Sequence, residues 1–139
     1  MKLFVDANTL VSGLVFEGNE SLLLELGRLG VCELVCNDYV REEVRDVLSR
    51  PHLGLAHDEQ VRALRILARC VTIVEDPPVA DVRAAKDRLS DPKDVPVLLG
   101  FEGSACDLLV TGDRRLRSEV PKAVTSRAAL RLLLGMIEP

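Results

Sequence analysis

DPKDVPVLLGFEGSACDLLVTGDRRL (residues 91–116) joins a helix that opens at an acid to a strand that runs out into another acid. From Asp94, the residues Val97, Leu98 and Phe101 follow at i+3, i+4 and i+7, so a carboxylate begins the face that should pack on a core. Pro96 is tolerated only within the first turn, which predicts a helix start near Asp94. After a Gly-containing turn, Asp107 to Asp113 (DLLVTGD) reads as a buried strand ending at Thr111, with Gly112 and Asp113 just past its end. Ligands of open α/β sheets sit outside the carboxyl ends of the strands, so Asp113 stands where chemistry is usually done.

The same arrangement recurs at the start of the chain, where the apolar run Lys2–Val5 ends in Asp6. Asn8 and Ser12 follow at positions from which a short helix can turn both toward Asp6, although Asn8 also reads as a cap. Residues 20–29 carry Leu22, Leu23, Leu26 and Leu29 at helical spacing, and Gly30 closes that helix. A second strand over 33–36 leads into a helix capped by Asn37, with Val40, Val44, Val47 and Leu48 as its buried stripe. Measured from the middle of that stripe, Glu42 falls roughly 175° away and Glu43 roughly 85° away. Glu42 should face water, and Glu43 should sit on the border between core and solvent, where a carboxylate reaches a cleft.

Pro51 ends this helix, and Asp58 is expected to cap the next, through Val61, Leu64, Leu67 and Ala68, with Arg62, Arg65 and Arg69 solvated outside. A third strand over 71–74, a short helix over 79–89, the Arg114, Arg115 and Arg117 run, a last strand over 123–125 and a helix from Ser126 complete the chain. Alternating strands and helices predict a single α/β domain over 1–139, a three-layer sandwich around a mainly parallel sheet.

A chain of 139 residues can bury a real core without disulfide staples. Only 3% of its residues are aromatic, which argues against an RNA surface built on stacked rings. A net charge of −4 argues against coating nucleic acid by bulk electrostatics and leaves room for a local basic rim. Cys32, Cys36, Cys70 and Cys106 form no CxxC pair and read as buried thiols of a reducing compartment. No apolar run approaches the roughly 20 residues that span a bilayer, and Met1 leads straight into a strand rather than a signal peptide. The expected location is the cytoplasm, away from any membrane.

Asp6, Glu43, Asp94 and Asp113 thus come from four segments, three of them at a strand end or a helix start. Two carboxylates about 5 Å apart repel by roughly 3 kcal/mol at an effective dielectric near 20. Convergence of all four would strain a marginally stable fold unless a divalent cation relieves it. Mg²⁺ (or Mn²⁺) binds through a few carboxylates while keeping waters and phosphate oxygens, and hydrolysis of a phosphodiester by metal-activated water follows.

Four motifs in this order, VDANTLVSGL, the EEV of the third helix, DPKDVPVLLG and LLVTGDRRL, cover nearly the whole chain. Together they make it resemble a PIN domain of the bacterial and archaeal kind that includes VapC-like toxins. The resemblance implies a five-stranded parallel sheet and a metal-dependent ribonuclease, with catalytic and metal-holding roles for Asp6, Glu43, Asp94 and Asp113 and polar support from Asn8 and Thr111. It further implies an RNA substrate, a small antitoxin protein inserting near the acids, and a homodimer. Asp91 matches a less constrained position and reads as a loop cap. Arg114, Arg115 and Arg117, with Lys93 opposite, form a rim that can steer RNA phosphates or simply be solvated.

Two other readings remain open at this level. A receiver-type signalling domain shares length, doubly wound topology and strand-end acids, but needs an acidic pair early in the chain and a Lys after a late strand; here Asp6 has no acidic neighbour, and Gly112 and Asp113 follow Thr111. A catalytically silent PIN-like module binding RNA or protein is the other, and the intact acids weigh against it.

Overall fold

The computed structural model describes residues 1–135. Five strands, β1 (Lys2–Val5), β2 (Glu33–Asn37), β3 (Val71–Val74), β4 (Leu108–Val110) and β5 (Ala123–Val124), form one sheet in the order β3-β2-β1-β4-β5, parallel throughout. Among the described residues there are eight α-helices: α1 (Ala7–Val15), α2 (Asn19–Arg28), α3 (Asp38–Leu48), α4 (His57–Cys70), α5 (Val79–Ala84), α6 (Val95–Gly103), α7 (Arg114–Glu119) and α8 (Ser126–Leu133). The α/β class and the five-stranded parallel sheet agree with the sequence reading.

The layers follow from the strand register. Leu3 lies beside Leu34 and Phe4 beside Val35, so these two pairs point to opposite faces of the sheet, and all four side chains are buried. Gly27 of α2 approaches Leu34, while Gly100 of α6 approaches Phe4; a Cβ added to either would stand within 2.8 Å of those side chains. Helices therefore cover both faces, as an all-parallel sheet requires.

From β1 the chain winds outward through β2 to β3, then returns across the sheet to place β4 on the other side of β1. The carboxyl ends of β1 and β4 therefore form the topological switch point, where open α/β sheets hold ligands. Val5 and Val110 are register partners there, and the amide of Asp6 donates to the Val110 carbonyl at 3.1 Å. The observed order also differs from the 2-1-3-4-5 sheet of receiver-type domains, which removes that reading.

Local expectations fare unevenly. The α3 stripe of Val40, Val44, Val47 and Leu48 is buried as expected. In α2, however, Leu22 is exposed, as is Leu29 at its C-cap, and Leu24 is buried beside Leu23 and Leu26. The close approach of Gly27 to the sheet sets that phase, because its neighbours three and four residues back are Leu24 and Leu23. Asp58 lies in the first turn of α4 and does not cap it; the Glu59 carboxylate accepts from the Ala56 amide at 2.9 Å instead. Ala68 is exposed, and Ala63, Leu67 and Cys70 are the buried residues of α4. Helix α5 stops at Ala84, short of Leu89. The arginine run, for which the sequence predicts no helix or strand, forms the six-residue helix α7.

All four cysteines are free and buried, and burial raises each thiol, Cys36 to about 12. Among the described residues no helix is long and apolar enough to cross a membrane.

Candidate active site

Asp6 is the first residue past β1 and the N-cap of α1, its Oδ1 accepting from the Thr9 amide at 3.0 Å. Its Oδ2 accepts from the Thr111 hydroxyl, and that hydroxyl oxygen accepts in turn from the Asp113 amide at 3.0 Å. Thr111 is fully buried just past β4, so one hydroxyl ties the two strand-end acids together. Asp113 caps α7, its Oδ1 accepting from the amides of Arg115 and Leu116 at 2.9 and 3.2 Å. Burial pushes the Asp6 carboxyl above its usual range and the Asp113 charge adds to this, while hydrogen bonds from Thr111 and Thr9 pull the other way.

Asp94 ends a single 3-10 turn, Pro92–Asp94, and occupies the N-cap position of α6 without its side chain capping the helix. The turn is capped by Asp91, which accepts from the Lys93 amide at 3.0 Å, as the sequence suggested. Asp94 is half-buried, and its carboxyl is raised to about 6 by burial first, then by the charges of Asp91, Asp113, Asp6 and Glu43. Glu43 is pushed up by partial burial and by Asp6, with Arg50 and Lys93 opposing. Its neighbour Glu42 lies at 3.6 Å from Arg45 and 4.0 Å from Arg41, on the solvated side of α3. Asp6, Glu43, Asp94 and Asp113 therefore share one electrostatic environment at the carboxyl edge of the sheet, and Glu42 stands outside it.

Two residues that the sequence reading did not assign to the site hold its frame. Asn37, expected only as a cap, does accept from the Val40 amide at 3.0 Å, but its Nδ2 also donates to the Pro96 carbonyl at 3.1 Å. This fully buried amide joins the helix of Glu43 to the helix that Asp94 begins. Tyr39 donates its hydroxyl to the Lys93 carbonyl at 2.8 Å, tying α3 to the turn that carries Asp94. An Asn before an apolar stripe announces the cap, whereas the two long-range bonds depend on β2 meeting α6 and on α3 meeting the turn before α6.

The supporting residues differ in what they do. Arg117 is half-buried and donates to the Thr111 carbonyl at 3.2 Å, so it braces the end of β4, while Arg114 and Arg115 are exposed at the start of α7. Lys93 is exposed and close enough to Glu43 to lower its pKa. Asn8 and Ser12 do not hydrogen-bond Asp6, a role filled by Thr9 and Thr111; they line a recess beside Asp113 that also takes in Glu20, which the sequence reading passed over.

As the side chains stand, no three His, Cys, Asp or Glu residues among those described are grouped closely enough to hold one ion. The donors that share the site's charge are nonetheless all carboxylate oxygens, and Asp94 and Glu43 have no hydrogen-bond or ion-pair partner among the described residues. That donor chemistry fits a hard divalent cation and does not fit a soft one.

No curated protein matches the chain. Among solved structures it is similar to the crystal structure of PAE2754 from Pyrobaculum aerophilum, at 22% identity and a TM-score of 0.72, with 97% of this chain and 96% of that one covered. At that identity the likeness speaks for the fold. Residues 2–115 match the model of a family described as PIN domain, whose members are typically metal-dependent nucleases, and with so much of its length matched this chain belongs to the PIN domain family.

Proposed function

We propose that the chain is an endoribonuclease that hydrolyses phosphodiester bonds of single-stranded RNA with Mg²⁺ or Mn²⁺, and that it is the toxin of a toxin-antitoxin pair in the cytoplasm. The observation that carries the catalytic reading is Asp94, an acid raised to about 6 by burial and then by four neighbouring carboxylates, with no cation paired to it among the described residues. Acids so arranged at a sheet's switch point favour a divalent cation and a phosphate ligand over an organic substrate. Asp6, Glu43, Asp94 and Asp113 would hold the ion. When bound, it lowers the pKa of a water and offsets charge on the phosphate.

The chain's own residues do the rest. Thr111 and Thr9 fix Asp6 in one orientation, and Thr111 sets Asp113 beside it. Glu43 and Asp94 each carry two carboxylate oxygens, so that one can face the ion while the other accepts a proton from the attacking water. Arg114 and Arg115 are exposed, with no ion pair among the described residues, and their guanidinium groups can pair with backbone phosphates, while Lys93 adds a point charge near Glu43. No cysteine or histidine takes part, so direct attack by water is favoured over a covalent intermediate.

The test is cleavage of single-stranded RNA by pure protein with Mg²⁺ or Mn²⁺ and with excess EDTA. Cutting should require the metal, and Asp94→Asn should abolish it while the far-ultraviolet spectrum stays unchanged. Undiminished cutting in EDTA would overturn the reading. A binding module that does not cut would retain RNA or protein affinity and show no metal-dependent product. The toxin role and the homodimer are tested separately, by co-expression with the adjacent reading frame and by measuring mass in solution; a small protein that binds near the acids and stops cleavage is the expected antitoxin.

A further inference from the structure

Between the turn after β1 and the turn after β4 lies a recess of about 340 Å³ lined by Asn8, Thr9, Ser12, Glu20, Gly112 and Asp113. Its size is at the small end of ligand pockets, with room for a single nucleoside rather than a length of chain. Neither Asp94 nor Glu43 borders it, so it adjoins the acid site at Asp113 without being the same space. The Thr9 amide and the Oδ1 of Asp113 are already engaged in the caps described above. The Asn8 amide, the Ser12 hydroxyl and the Glu20 carboxylate, in contrast, make no hydrogen bond or ion pair among the described residues. Three unengaged polar groups from α1 and α2 thus face one small space beside the proposed point of cleavage.

Glu20 decides what that space can accept. Its charge repels phosphate, so the group it meets must be a donor on an uncharged part of the ligand. A carboxylate offers two adjacent acceptor oxygens. Among RNA bases only guanine carries two adjacent donor groups on its Watson–Crick edge, the N1–H and the N2 amino group; adenine, cytosine and uracil each carry one. Bases splayed from single strands are read on that edge. Asn8 supplies the donor that the O6 of the same base requires.

We propose that this recess is a guanosine subsite flanking the cleaved bond, with Glu20 as its specificity-determining residue. The proposal rests on the ribonuclease reading only in taking RNA as the ligand.

The experiment separates binding from cutting. Single-stranded oligouridylates carrying one guanosine, inosine or adenosine are titrated, with Mg²⁺ present, against the Asp94→Asn chain and against the same chain with Glu20→Gln or Glu20→Ala. Inosine lacks only the N2 amino group. The guanosine RNA should bind about tenfold or more tighter than either of the others, the discrimination a bidentate base contact typically gives. Both Glu20 variants should reduce that difference to within about twofold. Glu20 is half-buried near the start of a helix, and Gln and Ala are both good helix formers there, so a folding defect is not expected to mimic the loss. Equal binding of the three RNAs, or a preference that survives both substitutions, overturns the subsite. Mapping wild-type cut sites on the same RNAs tells the two readings apart. Guanosine-selective binding without any cleavage would sink the nuclease and leave the subsite, whereas cleavage with indifferent binding would do the reverse.

Discussion

Thr111 carries more of the site than its size suggests, because its one hydroxyl both donates to Asp6 and accepts from the Asp113 amide. Thr111→Val keeps the shape and removes both bonds, leaving a partly buried amide unpaired. The loss should be about 1–3 kcal/mol of stability, read as a lower denaturant midpoint at unchanged slope. Asp6 would also lose the hydrogen bond that most lowers its pKa, so the acid limb of the rate profile should move to higher pH. An unmoved profile would mean that the threonine is structural only. The two adjacent glutamates make a second residue-scale case. Glu43 feels Asp6 and Lys93, whereas Glu42 is paired with Arg45. Glu43→Gln should lower the cleavage rate by orders of magnitude and Glu42→Gln by no more than a few-fold; the reverse ranking in a single-turnover assay would remove Glu43 from the site. The phase of that helix was readable in advance because a stripe of three valines and a leucine admits one rotation only. Glu20 was not readable, since one acid in the first turn of a helix looks like an ordinary partner of the helix dipole.

The elements that bring Glu43 and Asp94 toward the strand-end acids are α3 and α6, and the contact between them is a buried amide backed by a glycine. A Cβ at Gly100 would stand 2.6 Å from the Asn37 Nδ2 and 2.8 Å from Phe4, so the bond from Asn37 to the Pro96 carbonyl exists only because position 100 is empty there. Gly100→Ala is ordinarily favourable in a helix, but here it should destabilise by about 1–3 kcal/mol through overpacking. It should also lower activity more than stability accounts for, since α6 would shift relative to α3 and take Asp94 with it. A gain in melting temperature with full activity would contradict this account. The sequence identifies the strands, the caps at Asn37 and Asp91 and the start of α6 because each depends on a few adjacent residues. It misses α7, a six-residue helix whose first turn is almost all arginine and whose cap, Asp113, looks equally like a strand-end ligand. It misplaces the α2 stripe for a related reason. Leucines at 22, 23, 24, 26 and 29 fit two rotations, and only the contact of Gly27 with β2 selects one.

Across the whole molecule, the gathered acids should make stability depend on pH and on metal in a linked way. Asp94 has a folded pKa of about 6 against an ordinary value of 3.8, and Asp6 and Glu43 are shifted in the same direction. Between those two pH values the folded chain holds more protons than the unfolded one, so its stability without metal falls as pH rises through that window and stays low above it. Asp94 is only half-buried, and solvent screening limits its share to a few degrees of melting temperature. Asp94→Asn removes the group that is penalised. In EDTA at pH 7 the variant should therefore melt above wild type, and near pH 3, where Asp94 is protonated in both states, the two should nearly coincide. Mg²⁺ binds the folded wild type preferentially, and a 100-fold excess over its dissociation constant adds about 2.7 kcal/mol. For a chain of this size that is on the order of 10 °C. Asp94→Asn should gain clearly less, because it lacks one donor oxygen and the repulsion that the ion relieves. Melting curves of both proteins in EDTA and in millimolar Mg²⁺, at pH 7 and near pH 3, contain every comparison needed. If wild type shows no metal-dependent shift at pH 7 and the variant melts below it in EDTA, the four acids neither repel one another nor bind the ion, and the physical basis for metal-dependent hydrolysis at this site is gone.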